Sequence, residues 1–494
     1  MPHKNLQILF GFVVAYRRAM TRRNEASKII AIIGGGVGGA LTAYHLIQQR
    51  VQARVIVVDP NPELGLGLAY STPSLRHLLN VPAGKISAIP SQPNHFLDWL
   101  RANHDPEAKA TTFAPRAVFG RYVQSLLSEV SGIEQEQSSV IDLQHLCHGA
   151  VLTFGDGRQL RADQVVLATG NFDPAALPGI SAEAVETGAY RHNAWASGTY
   201  QGLDPNAPVA LIGTGLTAVD VVLRLREIGH RGIITAVSRH GVFPTRHAPY
   251  TPIRQSAVPK DTAATCVAYL RALRSAIRNG AEWRSAFDSL RATTNDLWLA
   301  LPLKEQERFR RHLQRRWDVA RHRMAPPIAD VIEAELRAGT LVIREGHLLS
   351  VNAIPSGASL AIRSANGLDS ITATRVINCT GPSMNYRRVN SPLLNSLFTQ
   401  GLISAGPLGG GFTTARNGAM IDEAGRVSHL LYNLGPGRLG TLLESIAVPE
   451  IRTQAVELAG VLVNSLRKQE EVQRPVVSRM AGECRAALLE RASA

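Results

Sequence analysis

Three glycines and one acid carry the first chemical signal in this chain. Residues 29–59 read IIAIIGGGVGGALTAYHLIQQRVQARVIVVD, which sets Gly34-x-Gly36-x-x-Gly39 and ends in Asp59. Gly34 permits a tight turn, Gly36 lets backbone amides approach a pyrophosphate, and Gly39 lets a helix pack closely on a strand. Asp59, about 20 residues further on, can accept hydrogen bonds from both ribose hydroxyls. These types at this spacing predict an adenine-dinucleotide site. A second set follows in PVALIGTGLTAVD (208–220), where Gly213-x-Gly215 and Thr217 repeat the turn and the helix start. The second unit closes in Ser238-Arg239 instead of an acid. A hydroxyl and a guanidinium suit a ribose carrying a 2′-phosphate, which a carboxylate would repel, so NADPH is expected over NADH. The plain alternative is that Arg239 is an ordinary exposed arginine.

The elements needed to position these residues are legible around them. Each glycine set is preceded by an apolar β-run, opens a helix and is followed by a second β-run, at Ile233 to Val237 in the second unit. VVLATGNF, ending at Phe172, and VINCTGP, at Val376 to Pro382, are buried β-runs closing on Thr-Gly, which adds Thr169, Gly170 and Gly381 to the cofactor-facing set. The order of fingerprint, ATG, fingerprint, CTG and a glycine-rich C-terminal segment predicts an α/β fold. Two Rossmann-like, three-layer dinucleotide-binding domains are expected, with the NADPH domain inserted into the FAD domain. The expected boundaries are an extension at 1–27, the FAD domain at 28–200 and 379–470, the NADPH domain at 206–378, and a tail at 471–494. Within 250–330, apolar residues at three- and four-residue intervals predict an insertion of amphipathic helices that either shapes substrate access or braces the domains.

Composition narrows the class. A chain of 494 residues exceeds what one core usually supports. The four cysteines, Cys147, Cys266, Cys379 and Cys484, include no close pair. That argues for a reducing compartment, with the cytoplasm expected, and against a zinc site or a redox disulfide. The net charge of +14 raises nucleic acid as a partner. The densest basic stretch, Lys304 to Pro327, instead has acids interspersed at helical spacing and lacks the glycine–aromatic pattern of an RNA-binding sheet, so no nucleic acid is expected. Its arginines are read either as a wet helix face or as ligands for NADPH phosphates or an anionic substrate. Leu6 to Tyr16 is apolar but shorter than the roughly 20 residues a bilayer span needs, so no membrane span is expected.

The segment Gly65 to Leu100, with five prolines, predicts a long structured loop before a helix near Pro93. Tyr70, Ser71 and Asn80 can hydrogen-bond an isoalloxazine ring or ribityl chain, and Asn80 is the candidate nearest the reacting flavin. The competing reading makes Asn80 a turn cap and Tyr70 a core residue.

Several stretches between Lys28 and Ala455 carry a family resemblance: GLAYSTP (67–73), LLNVPA (78–83), FLDWL (96–100), FAPRAVFGRYV (113–123), VSRHGVFP (237–244), WDVARHRMAP (317–326) and GRLGTLLESIAVPEIRTQA (437–455). The chain resembles a bacterial FAD/NAD(P)-binding protein family related to the class B and N-hydroxylating flavin monooxygenases, including the nitrosuccinate-forming aspartate N-monooxygenases. The resemblance implies bound FAD, NADPH as reductant, molecular oxygen as co-substrate and hydroxylation of a small amine or amino acid through a C4a-peroxyflavin. Many two-dinucleotide flavoproteins carry a Gly-Asp near the C-terminus, but here LYNLGPGRLGTLLES puts Pro436 after Gly435. The remaining candidates are Gly435 and the amides of Gly440 and Thr441, at the expected start of the next helix. Two other readings stay open: an NADPH:acceptor oxidoreductase without oxygen insertion, and a dinucleotide-binding regulator without turnover. A homo-oligomer is compatible with all three.

Overall fold

The computed structural model describes residues 28–468. The expected extension at 1–27, the tail at 471–494 and Cys484 lie outside the described residues. Two parallel sheets form the frame. The first runs Ala419–Ile421, Val427–Asn433, Gln164–Leu167, Ile29–Ile33, Arg54–Val58, Ile133–Glu136, and only its first pair is antiparallel. The second runs Leu341–Glu345, Ile234–Ser238, Val209–Ile212, Arg375–Asn378, Tyr190–Arg191, all parallel. Sequences such as IIAII and RVIVV form these strands because both faces are covered, so unbroken β-branched runs lose nothing to solvent.

Three layers build each unit. On one face of the first sheet, the helices Val37–Gln48 and Arg116–Ser128 bury Leu41, Leu46, Phe119 and Tyr122 against Ile30, Ile32 and Val57. On the other, a three-stranded antiparallel sheet (Val140–His145, Ala150–Phe154, Gln159–Ala162) and the helix Pro392–Thr399 close over Ala31, Ile33 and Val165. The second unit repeats the plan. The helices Leu216–Glu227 and Pro326–Arg337 lie on one face, and the antiparallel sheet His347–Ala373 covers the other.

The chain leaves the first sheet after Leu167 and returns to it through Ala419–Ile421, so the second unit is inserted into the first. The crossing comes earlier than the boundary expected near 200, because Tyr190–Arg191 already pairs with Val376 and Ile377 in the second sheet. A two-residue strand has no periodicity to read.

The insertion is helical, as expected: Cys266–Arg278, Trp283–Asp288, Thr294–Ala300, Leu303–His312 and Gln314–Arg321. No helix among the described residues is long and apolar enough to cross a membrane.

Candidate functional site

Both glycine turns stand where their strands end. Gly34 has φ +108°, and a Cβ there would meet the Ala168 carbonyl oxygen at 2.3 Å. A Cβ on Gly39 would lie 1.9 Å from the Gly34 oxygen, so helix and strand touch through bare backbone. Gly36 differs from both. Its backbone is extended (φ −65°, ψ −174°), and a Cβ would come no nearer the protein than 3.5 Å, at the Gly67 Cα. The space a methyl would fill there is a cradle at a helix N-terminus, which fits a pyrophosphate. Asp59 closes the turn: the Gly35 N–H donates to its Oδ2 at 2.6 Å, and the Asn61 N–H to its Oδ1 at 2.8 Å.

The second turn is built alike with different chemistry at its corner. Gly213 has φ +116° and approaches the Cys379 carbonyl, while nothing lies within 4 Å of a Cβ at Gly215. Thr217 is the second residue of the helix that follows. The third small position is Ala218, fully buried. Thr214 Oγ1 donates to the Val242 carbonyl at 2.8 Å, so Ser238 Oγ, 2.8 Å away, donates to Thr214 while accepting from the Gly241 N–H. Ser238 therefore braces the turn with its own proton. Arg239 is exposed beside it. Arg315, from the helical insertion, reaches the same corner and donates to Thr214 Oγ1 at 3.1 Å. Burial lowers its pKa; Asp318 opposes that shift and Arg239 adds to it. The sequence gives no local sign of this meeting, since Arg315 is 101 positions from Thr214.

The long loop ties the units together. After the single turn Gly67–Tyr70, the chain runs out to the second unit. His77 Nε2 donates to the Asp220 carbonyl at 3.0 Å, which leaves Nδ1 to accept from Thr72 Oγ1 at 2.7 Å. Burial lowers the His77 pKa. The Asp220 carboxylate in turn pairs with Arg116. Three residues further on, the Asn80 carbonyl accepts from His247 Nε2 at 3.0 Å. The helix expected near Pro93 begins at His95.

Asn80 borders a cavity of ≈ 740 Å³ that both units and the insertion share. Lys85 and Phe113 come from the first unit, His247 and Tyr250 from the second, and Asp288, Arg291 and Arg321–Arg323 from the insertion. Glu444 and Glu450 complete the wall. Arg321 pairs with Glu444 through two bonds at 2.7 and 3.0 Å, and Arg291 with Glu450 at 3.0 and 3.1 Å. Asp288 takes the Tyr250 hydroxyl and the Arg323 guanidinium. Burial, followed by the neighbouring Arg323 charge, pushes His247 down to about 4, so it stands neutral. Tyr250 is pushed upward by burial and by Asp288.

Other expected site residues fall differently. The half-buried Tyr70 packs its ring against Phe119 at 5.1 Å, and burial pushes its phenol up to about 12. Ser71 is exposed. Thr169 and Gly170 follow the strand Gln164–Leu167; Gly170 and Gly381 have φ of +65° and +85°, with open space at their Cβ positions.

The C-terminal expectation needs correction. No helix starts at Gly440 or Thr441: Gly435–Gly440 is a 3-10 turn and the next helix begins at 448. The Gly435 N–H donates to Gln454 Oε1, and Gly440 is pressed on the Phe412 carbonyl, 2.3 Å from where a Cβ would sit. Thr441 Oγ1 accepts from the Thr414 N–H. Gly440 and the Thr441 hydroxyl are thus engaged within the protein, while a Cβ on Gly435 would meet open space. Nor is Lys304 to Pro327 simply a wet face, because Arg323 is 1% exposed and Arg321 is 9% exposed, each in an ion pair. Among the described residues, no group of three or more His, Cys, Asp or Glu could hold a metal.

The frame and its two glycine turns define a two-dinucleotide architecture of the flavoprotein type. Residues 31–172, within the first unit, match the FAD-NAD(P)-binding family. Among curated proteins, the uncharacterized protein YdhS of Escherichia coli K12 is 28% identical over 236 residues, 44% of this chain. The match spans 42% of that protein's length. Among solved structures, ornithine N-hydroxylase from Kutzneria sp. 744, with reduced FAD, NADP+ and L-ornithine, superposes with TM-score 0.61 at 14% identity over 90% of this chain and 100% of that one. The ornithine hydroxylase of Pseudomonas aeruginosa in its reduced form gives 0.58 at 15% identity, over 89% and 100%. Bacillithiol disulfide reductase from Staphylococcus aureus gives 0.53 at 12%, over 88% and 98%. At these identities the likeness is one of fold.

Proposed function

We propose that this protein is an FAD-dependent, NADPH-reduced monooxygenase that N-hydroxylates a small amine or amino acid in the cavity beside Asn80. The observation that carries the reading is that cavity: it lies at the junction of the two units and draws walls from both. The fold, shared with ornithine hydroxylases that differ in sequence almost throughout, is consistent with it.

In this reading the amides of the Gly34–Gly39 turn hold the FAD pyrophosphate and Asp59 takes the adenosine ribose. Gly213, Gly215 and Thr217 hold the NADPH pyrophosphate, and Arg239 with Arg315 takes its 2′-phosphate. Thr169, Gly170 and Gly381 line the paths of the two cofactors, which between them supply hydride transfer and oxygen activation. Asn80 borders the cavity while its main-chain carbonyl is held by His247. Neutral His247 places no second cation beside Arg323, and the Arg321–Glu444 and Arg291–Glu450 pairs keep the walls charged but compensated. A substrate ammonium or carboxylate can meet an opposite charge in such a cavity.

The test is a panel of small amines and amino acids with the FAD-loaded protein in air, following NADPH consumption, hydroxylated product and peroxide. Product formed in step with NADPH is expected for one class of substrate. NADPH oxidation that runs equally fast under nitrogen with an artificial acceptor, with no hydroxylated product in air, would replace this reading by an acceptor oxidoreductase. Bound FAD that NADPH fails to bleach would replace it by a regulator without turnover.

A further inference from the structure

The helical insertion, with Leu443, lines a second cavity, of ≈ 320 Å³, apart from the one beside Asn80. Its interior is almost wholly apolar, built from side chains such as Leu273, Leu290, Leu297, Trp298, Phe309 and Trp317. The few polar groups inside are already satisfied by the protein. Tyr269 donates to the Leu297 carbonyl, Thr294 to the Leu290 carbonyl, and the Cys266 thiol to the Glu305 carbonyl. A polar guest would find nothing to bond there.

The rim is different. Arg274 and Arg316 border the cavity, are exposed, and form no ion pair among the described residues. No carboxylate lines the cavity. We propose that this is a binding site for a single-chain anionic amphiphile, a fatty-acid-like carboxylate whose chain fills the apolar interior and whose head meets Arg274 and Arg316. The volume is roughly twice the ~150 Å³ that admits a benzene ring, enough for a chain of about ten carbons. Predominantly apolar walls with a few placed polar groups are the usual form of a small-molecule site. The inference does not depend on the reaction proposed above, since neither arginine borders the cavity beside Asn80.

The full-length, FAD-loaded protein can be titrated with sodium decanoate, read by calorimetry and by the fluorescence of Trp298 and Trp317 in the cavity wall. One saturable site is expected, with octanoate about tenfold weaker because two buried methylenes are lost. The double change Arg274→Ala, Arg316→Ala should weaken decanoate about tenfold and leave decan-1-ol unaffected. Leu270→Phe with Leu297→Phe should fill the interior and abolish uptake, and the flavin absorbance with a thermal melt reports whether that variant is folded. No saturable binding overturns the proposal, as does decan-1-ol binding as tightly as decanoate. Undiminished binding in the folded, filled variant overturns it as well.

Discussion

The two glycine turns have nearly the same backbone and differ in what secures them. In the first, the main chain itself is the constraint: Gly39 presses on Gly34, and Asp59 receives the Gly35 amide. In the second, Ala218 replaces the third glycine, and side-chain hydroxyls hold the corner, Ser238 to Thr214 and Thr214 to Val242. The first unit is thus bound by close approach and one half-buried carboxylate, the second by a hydroxyl relay with arginines over it. A shared fold leaves the residues that close each unit free to differ.

The largest effect should come from closing the gap that separates the two designs. Gly39→Val drives a side chain into the Gly34 carbonyl and should cost about 3 kcal/mol or more of stability, measured by denaturant unfolding. Gly36→Ala, with no clash in the protein, should leave the unfolding curve within about 1 kcal/mol and weaken FAD roughly 100-fold, measured on reconstituted apoprotein. A stable Gly39→Val, or a Gly36→Ala that keeps full FAD affinity, would break the distinction between a packing glycine and a ligand-facing one.

A second contrast lies in the helices behind the turns. Burial lowers His45, on the first helix, to about 4 from an ordinary 6.5 against the weaker opposing pull of the Ala88 backbone, and its Nε2 makes no hydrogen bond of normal geometry. Between those values the unfolded chain binds the extra proton, so stability is fully present above about pH 6.5 and falls as the pH drops toward 4, by at most ~3 kcal/mol. His45→Leu should flatten that slope. His230, past the second helix, is also lowered by burial, but its Nε2 donates to the Ala207 carbonyl. His230→Leu should cost stability at every pH, because it strands that carbonyl. Unfolding curves at pH 4.5 and 7 separate the two, and equal slopes in wild type and His45→Leu would remove His45 from the account.

The smallest expected effect sharpens the nucleotide choice. Arg239→Ala and Arg315→Ala should each raise the KM for NADPH about tenfold and leave NADH nearly unchanged, measured by flavin bleaching without oxygen. Equal losses on both nucleotides would mean that the arginines read no 2′-phosphate.

Much of the frame was legible because the signals are local. A positive φ at Gly34 and Gly213 and the contact at Gly39 demand glycine whatever surrounds them, and the β-branched runs report burial on both faces. The strand Tyr190–Arg191 was invisible because two residues carry no pattern. Gly435 to Thr441 misled for the opposite reason: glycines there permit a 3-10 turn packed on Phe412, and the expected helix lies further along. Arg315 and the acids Glu444 and Glu450 reach their partners only through the fold, so no spacing along the chain announces them. Tyr70 packs on Phe119 while remaining half-buried, an environment compatible with either of its two readings.

The His77 link ends on the main-chain oxygen of Asp220 and not on a side chain. Every residue type brings that oxygen, so mutation at position 220 can discharge the pair with Arg116 without untying the loop. Sliding one unit against the other would need the helix itself to move, which makes the spacing between the two nucleotide turns a property more resistant to sequence drift than any of the charges around it.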